Sequence, residues 1–175
     1  MYNSYILHIF LVFAISSFGQ NNFSKYENMQ DVSSMVMDSN MFRLLSQIDL
    51  SSSDPETKAY LELVENIENV KIFSSEKNTV RQTMKTDVQT YLKNSQLEEL
   101  LSSNDNGQKI QLYAKPSSIA NHVSELLIFL EDTETSNSQN STLVSITGNI
   151  DVKQIFKLAR DLDIPGSTML KKLGN

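Results

Sequence analysis

Hydrophobic and polar positions along this chain repeat at two different periods, and each change of period marks an element. Asn21 to Gln30 places Phe23, Tyr26 and Met29 at threefold spacing, which predicts a short amphipathic helix. Val32 to Asp38 alternates, with Met35 and Met37 opposite Val36, and predicts a strand. Ser39 can cap a short helix carrying Met41, Phe42, Leu44 and Leu45. Asp54-Pro55-Glu56 opens another helix. Asp54 can accept from the free N–H groups of a first turn, Pro55 sits where no N–H is needed, and Glu56 favours the positive end of the helix dipole. Its stripe is Tyr60, Leu61, Val64 and Ile67. Val70 to Phe73 predicts a short strand. A long helix follows on Val80, Met84, Val88, Tyr91 and Leu92. It breaks at Asn94-Ser95, and Leu97, Leu100 and Leu101 continue as a second helical piece.

The rest is strand-rich. Asn104-Asp105-Asn106-Gly107 is turn chemistry, tolerant of positive φ. Lys109 to Lys115 alternates polar and apolar as a half-exposed strand does, and Pro116 to Asn121 interrupts it. Val123 to Leu130 contains the unbroken run Leu126 to Leu130, which suits a central strand covered on both faces. Glu131 to Asn140 is a polar loop, Thr142 to Thr147 another strand, and Gly148-Asn149 a turn. Asp151 then caps a last helix, with Gln154 completing a capping box and Ile150 stapling to Ile155. Ile155, Phe156, Leu158, Ala159 and Leu162 form its buried face, and Ile164-Pro165-Gly166 ends it. The expected fold is α+β: a single two-layer domain over residues 20–165, with a mixed sheet of about five strands. The last three strands form an antiparallel meander, the helices pack on one face, and residues 166–175 form a flexible C-terminal tail.

Met1 to Phe18 changes this picture. Its apolar core, Tyr5 to Ile15, is too short for a spanning helix of roughly 20 residues but suits a signal peptide, with Ser17 and Gly19 as the small residues before the cut. Residues 1–19 are therefore expected to be a cleaved signal, with an uncleaved N-terminal anchor or a buried strand or helix as the alternatives, since the first basic side chain is only Lys25. Export implies a periplasmic or secreted domain with no stable membrane anchor after cleavage.

The chain has no cysteine, which removes disulfides, thiol catalysis, cysteine zinc sites and lipid attachment. A net charge of −6 repels phosphate backbones, and no basic stripe interleaves with aromatics, so nucleic-acid binding is disfavoured. His122 is the one histidine after the leader. With Ser124 on its side of a strand and Glu125 opposite, it reads as a solvent-facing residue rather than part of a triad. Glu131, Asp132 and Glu134 cluster as a calcium site would, yet lack the spaced ligands and turn glycine of such loops. Glu65 with Glu68 and Glu98 with Glu99 lie on helix faces with no reason to converge as paired carboxylates. Met29, Met35, Met37 and Met41 read as core filling before a soft groove or a copper site. Asn22 and Asn140 match glycan acceptor patterns. Phe42 and Arg43, an aromatic beside an arginine, are the first interface candidates. No catalytic, cofactor-binding or metal-binding set is expected.

The order of segments resembles the domain of unknown function 4252 family, small exported proteins of Bacteroidetes. The resemblance rests on Val32 to Leu45, on Val70 to Glu76, on the apolar run ending Glu131-Asp132, and on Leu143 to Asp151. It implies an envelope location and no established activity. Some relatives are similar to lipoproteins, and this chain departs from them in lacking a cysteine near the cut. The expected function is a non-enzymatic, exported domain that binds an envelope protein or another envelope component. The alternatives are a small-molecule or lipid carrier and a carboxylate-dependent hydrolase.

Overall fold

The computed structural model describes residues 23–48, 61, 64–105, 107–132 and 139–153. The expected signal, the Asp54-Pro55-Glu56 helix start, the last helix beyond 153 and the tail lie outside the described residues. A 3-10 turn at Ser24–Tyr26 leads to β1 (Ser33–Asp38), α1 (Ser39–Ile48), β2 (Ile67–Ser75) and α2 (Asn78–Asn94). Then come β3 (Glu98–Asp105), β4 (Gln108–Pro116), β5 (His122–Asp132) and β6 (Ser141–Asp151). The six strands form one sheet in the order β1-β2-β6-β5-β4-β3, and every neighbouring pair is antiparallel. Among the described residues the fold is α+β, as expected, with six strands instead of about five and an antiparallel sheet instead of a mixed one.

The sixth strand is β3, where the spacing of Leu97, Leu100 and Leu101 predicts a helix. The chain pairs with β4 instead, through a hairpin closed by Gly107 at φ 79°. A bulge between Glu99 and Leu101 separates the leucines: Leu97 packs with the cluster under α2, Leu101 with the cluster on the opposite face, and Leu100 stays exposed. A helix would have put all three on one side.

A second correction lies in β6. Gly148-Asn149 does not turn the chain; β6 runs through it to Asp151. Gly148 sits at φ +147° against the backbone of Asn66 and Ile67, where the helical residues 64–66 enter β2. Glycine serves there for close approach. Asp151 Oδ1 accepts from the Lys153 N–H at 2.9 Å, and Gln154 and Ile155 of the expected capping box and staple lie outside the described residues. At Asn21 to Gln30 the helix reduces to the 3-10 turn, yet Phe23 and Tyr26 are buried and Met29 packs beside them.

Strand alternation sorts the buried side chains onto two faces. One face carries Phe73, Leu143 and Phe129 in a single cross-strand row, with Tyr113 and Leu127 beside them. Met84 and Val88 of α2, with Phe23 and Tyr26, close over that row. The other face is aliphatic: Val70, Ile146, Leu126 and Ala114 form one row, and Ile72, Val144, Ile128 and Leu112 the next. Val64 and Ile67 are buried there, with Val152 against them. α2 has 17 residues, about 26 Å at 1.5 Å per residue, enough to cross from β2 at one side of the sheet to β3 at the far edge.

Candidate functional site: an apolar edge beside a polar cleft

Among the described residues β1 is bonded on one side only, to β2. Its five residues Ser33 to Met37 carry no charge, proline or glycine. Met35 and Val36 are 54% and 41% exposed on opposite faces. Asp38 ends the strand and caps α1, accepting from the Met41 N–H at 3.0 Å, so the cap is Asp38 rather than Ser39. That cap turns α1 off the strand end with Met41 and Leu44 48% and 58% exposed. Four of the six large apolar side chains exposed among the described residues thus lie within ten consecutive positions. The opposite edge, β3, carries Glu98, Glu99 and a bulge, which blunt an edge against pairing. β1 carries no such device before Asp38.

At the start of β1 a polar cleft of about 530 Å³ opens, lined by Asp31, Ser33, Ser74, Ser75, Glu76, Lys77 and Asn140. Asp31 adopts φ 62°, which turns the chain into β1, and its carbonyl accepts from Ser75 Oγ at 2.6 Å. Ser75 Oγ in turn accepts from the Lys77 N–H at 3.2 Å, before α2 begins. Ser74 Oγ donates to Asn140 Oδ1 at 3.0 Å. Asp31 and Glu76 share the cleft as exposed carboxylates.

Charged groups fasten α2 to the sheet behind this edge. Arg81, nearly buried, donates through Nη1 to Gln139 Oε1 at 2.6 Å, through Nη2 to the Asp132 carbonyl at 3.1 Å and through Nε to Ser141 Oγ at 3.3 Å. Lys85 pairs with Glu131 at 3.0 Å. Asp87 accepts from the Tyr26 hydroxyl and pairs with Lys25; burial, then Asp87, pushes the Tyr26 phenol up. Lys71 pairs with Glu27 at 2.8 Å. Tyr113 is pushed up to about 12 by burial and by its bond to Glu99.

The Tyr91 hydroxyl reaches both Glu125 carboxylate oxygens, at 2.7 and 2.8 Å. Burial raises the Glu125 carboxyl above its ordinary 4.5, while Tyr91 and Lys115 hold it down. A raised folded-state value means the folded protein holds this proton more tightly than the unfolded chain. The contribution to stability is full below pH 4.5 and is lost as pH rises through the folded value. Glu125→Gln keeps an acceptor for Tyr91 and removes the titration. The variant should therefore gain on the parent as pH rises above 4.5, read by urea unfolding across pH; a difference independent of pH would rule this out.

The residues singled out from sequence are dispersed. His122 Nδ1 lies 3.0 Å from the Ala120 carbonyl, and Ser124 Oγ donates to the Lys115 carbonyl at 3.4 Å. A bulge between Val123 and Glu125 breaks the alternation assumed for the three, and Glu125 belongs to Tyr91. Asp132 Oδ1 accepts from Gln108 and Oδ2 from the Asn140 N–H, while Glu134 lies outside the described residues. Glu65 and Glu68 are exposed, and Glu68, Glu98 and Glu99 lie on strands rather than helices. Among the described residues no group of three or more His, Asp and Glu converges as metal ligands. The methionines separate: Met29 and Met37 pack against opposite clusters, and Met35 and Met41 are exposed. Asn140 uses its amide on Ser74 and Thr142, and Asn22 lies outside the described residues. Arg43 is exposed on α1 and donates to Asn40 Oδ1 at 3.1 Å; the Phe42 side chain is not among those described. Pattern reading missed the edge itself, whose only sequence signal is five uncharged strand residues next to a helix with apolar residues to spare.

The family model described as Domain of unknown function (DUF4252) matches residues 26–158. No curated protein and no solved structure matches the chain.

Proposed function

We propose that this chain, which belongs to the family of domain of unknown function 4252, is an exported, non-enzymatic binding domain that meets its partner at the β1–α1 edge. The observation that carries the reading is the concentration of Met35, Val36, Met41 and Leu44, all exposed, on one edge strand and the helix it feeds. An apolar patch beside free strand hydrogen-bonding groups is what a protein partner uses, through strand addition and side-chain contact together. The Met1 to Phe18 segment supports delivery to the periplasm, with the cut after Gly19. A lipid carrier would need an apolar cavity, and the cleft beside the edge is lined by carboxylates, hydroxyls, an amide and the Lys77 ammonium. A hydrolase would need a water-poor cleft around its carboxylates, and Asp31 and Glu76 are exposed.

The test places a photoreactive phenylalanine analogue at Leu44 and, separately, at Lys93, which is exposed at the far end of α2. Irradiation of cells producing the full chain should give a protein adduct from position 44 in the envelope fraction and none from 93. Equal yields from both, or adducts only in the cytosol, would refute the reading.

A further inference from the structure

We propose that the partner at this edge is a second copy of the same chain, joined β1 to β1 across a two-fold axis with Val36 on the axis. This rests on the edge reading above and goes further, because symmetry restricts how such a seam forms. A two-fold that sets two copies of one strand side by side and antiparallel must stand perpendicular to the sheet. Each face then continues as the same face, and facing positions must sum to an even number. Two registers fit β1. One puts Met35 on the axis and sets Val36 against Ser34 and Met37 against Ser33. The other puts Val36 on the axis, sets Met35 against Met37, and faces Ser34 with Asp38. The second matches like with like. It faces two β-branched side chains, gives the Asp38 carboxylate a hydroxyl neighbour, and continues the aliphatic face. Met35 is in line with Ile72 and Met37 with Val70, so the aliphatic rows of the two sheets run on through the seam.

Charge favours a second copy. The protein carries −6, and the stretch from Val32 to Ile48 contains one acid, Asp38, and one base, Arg43. This neutral strip is where two acidic molecules approach with least repulsion, and neither register sets carboxylates face to face. The far edge cannot serve in the same way, because Glu98 and Glu99 would bring like charges to the seam. A short seam flanked by one helix falls in the class below about 1,200 Å², which marks reversible association, so dimer and monomer should exchange with concentration.

The chain lacks cysteine, so single cysteines report the register. The full chain is produced and purified as the cell processes it, as parent, Val36→Lys, Val36→Cys and Ser34→Cys. Light scattering on a size-exclusion column should show the parent mass double with concentration and Val36→Lys stay monomeric, with circular dichroism unchanged. Under mild diamide oxidation Val36→Cys should form a disulfide dimer, since facing Cα atoms lie about 4.5–5.5 Å apart, within disulfide reach. Ser34→Cys faces position 38 and should not. A parent that stays monomeric at every concentration, a dimer untouched by Val36→Lys, or equal cross-linking from both cysteines would overturn the self-pairing. If the parent is monomeric while position 44 still cross-links a different protein, the edge reading survives and the second copy is wrong. If position 44 yields nothing either, both fall.

Discussion

Replacing Gly148 by alanine is expected to cost about 3 kcal/mol or more of stability, a large share of what a domain of this size has. Two independent costs meet at this position. The residue sits at φ +147°, a conformation that L side chains rarely adopt, and such placements cost about 1–3 kcal/mol. A Cβ there would also lie 2.2 Å from the Asn66 carbonyl oxygen and 3.0 Å from the Glu68 nitrogen, both backbone atoms that no rotamer change can move aside. Relief requires the chain at 64–68 to lift off β6, which pulls Val64 and Ile67 out of the buried cluster they share with Ile150. Urea unfolding of Gly148→Ala beside the parent measures the loss. A cost below about 1 kcal/mol would mean that the entry into β2 does not cross β6 at this point.

This position shows where sequence reasoning reaches its limit. Gly148-Asn149 has turn chemistry, and a local reading has no other use for it. The actual cause is the backbone of residues some eighty positions earlier in the chain, set by the insertion of β2 beside β6. Elements governed by their own periodicity were legible. α2 follows from Val80, Met84, Val88 and Tyr91, and β4 to β6 follow from alternation and the aliphatic run of β5. β3 was hidden because Leu97, Leu100 and Leu101 satisfy a helical stripe, and only pairing with β4 and the bulge after Glu99 override it. Strand direction was hidden for the same reason, since nothing local tells β2 which neighbour it joins. The candidate edge was legible as a strand but not as an edge. Met35 and Met37 fit a core as well as a surface until strand order leaves β1 outermost and exposes Met35.

Phe73→Ala is expected to cost about 3–5 kcal/mol, the range for removing a fully buried aromatic side chain. Phe73 has no exposed surface and heads the row formed with Leu143 and Phe129. The Tyr26 ring lies 5.6 Å from it centre to centre, and Met84 and Val88 belong to the same cluster. The ring therefore joins three parts of the chain: the N-terminal turn, β2 and α2. Collapse of Tyr26 into the vacated space would cost its bond to Asp87, so the hole cannot be filled cheaply from that side. Urea unfolding should show the full loss, with the near-ultraviolet tyrosine signal reduced in the folded variant. Met35→Ala, one strand position from Ser34, which faces Phe73, is the informative partner, because Met35 is 54% exposed and should change stability by about 0.5 kcal/mol or less. Equal losses from the two variants would contradict the division of this sheet into a sealed face and an open edge. A large loss from Phe73→Ala alone, with Met35→Ala affecting only association, would place stability under α2 and partner contact on β1.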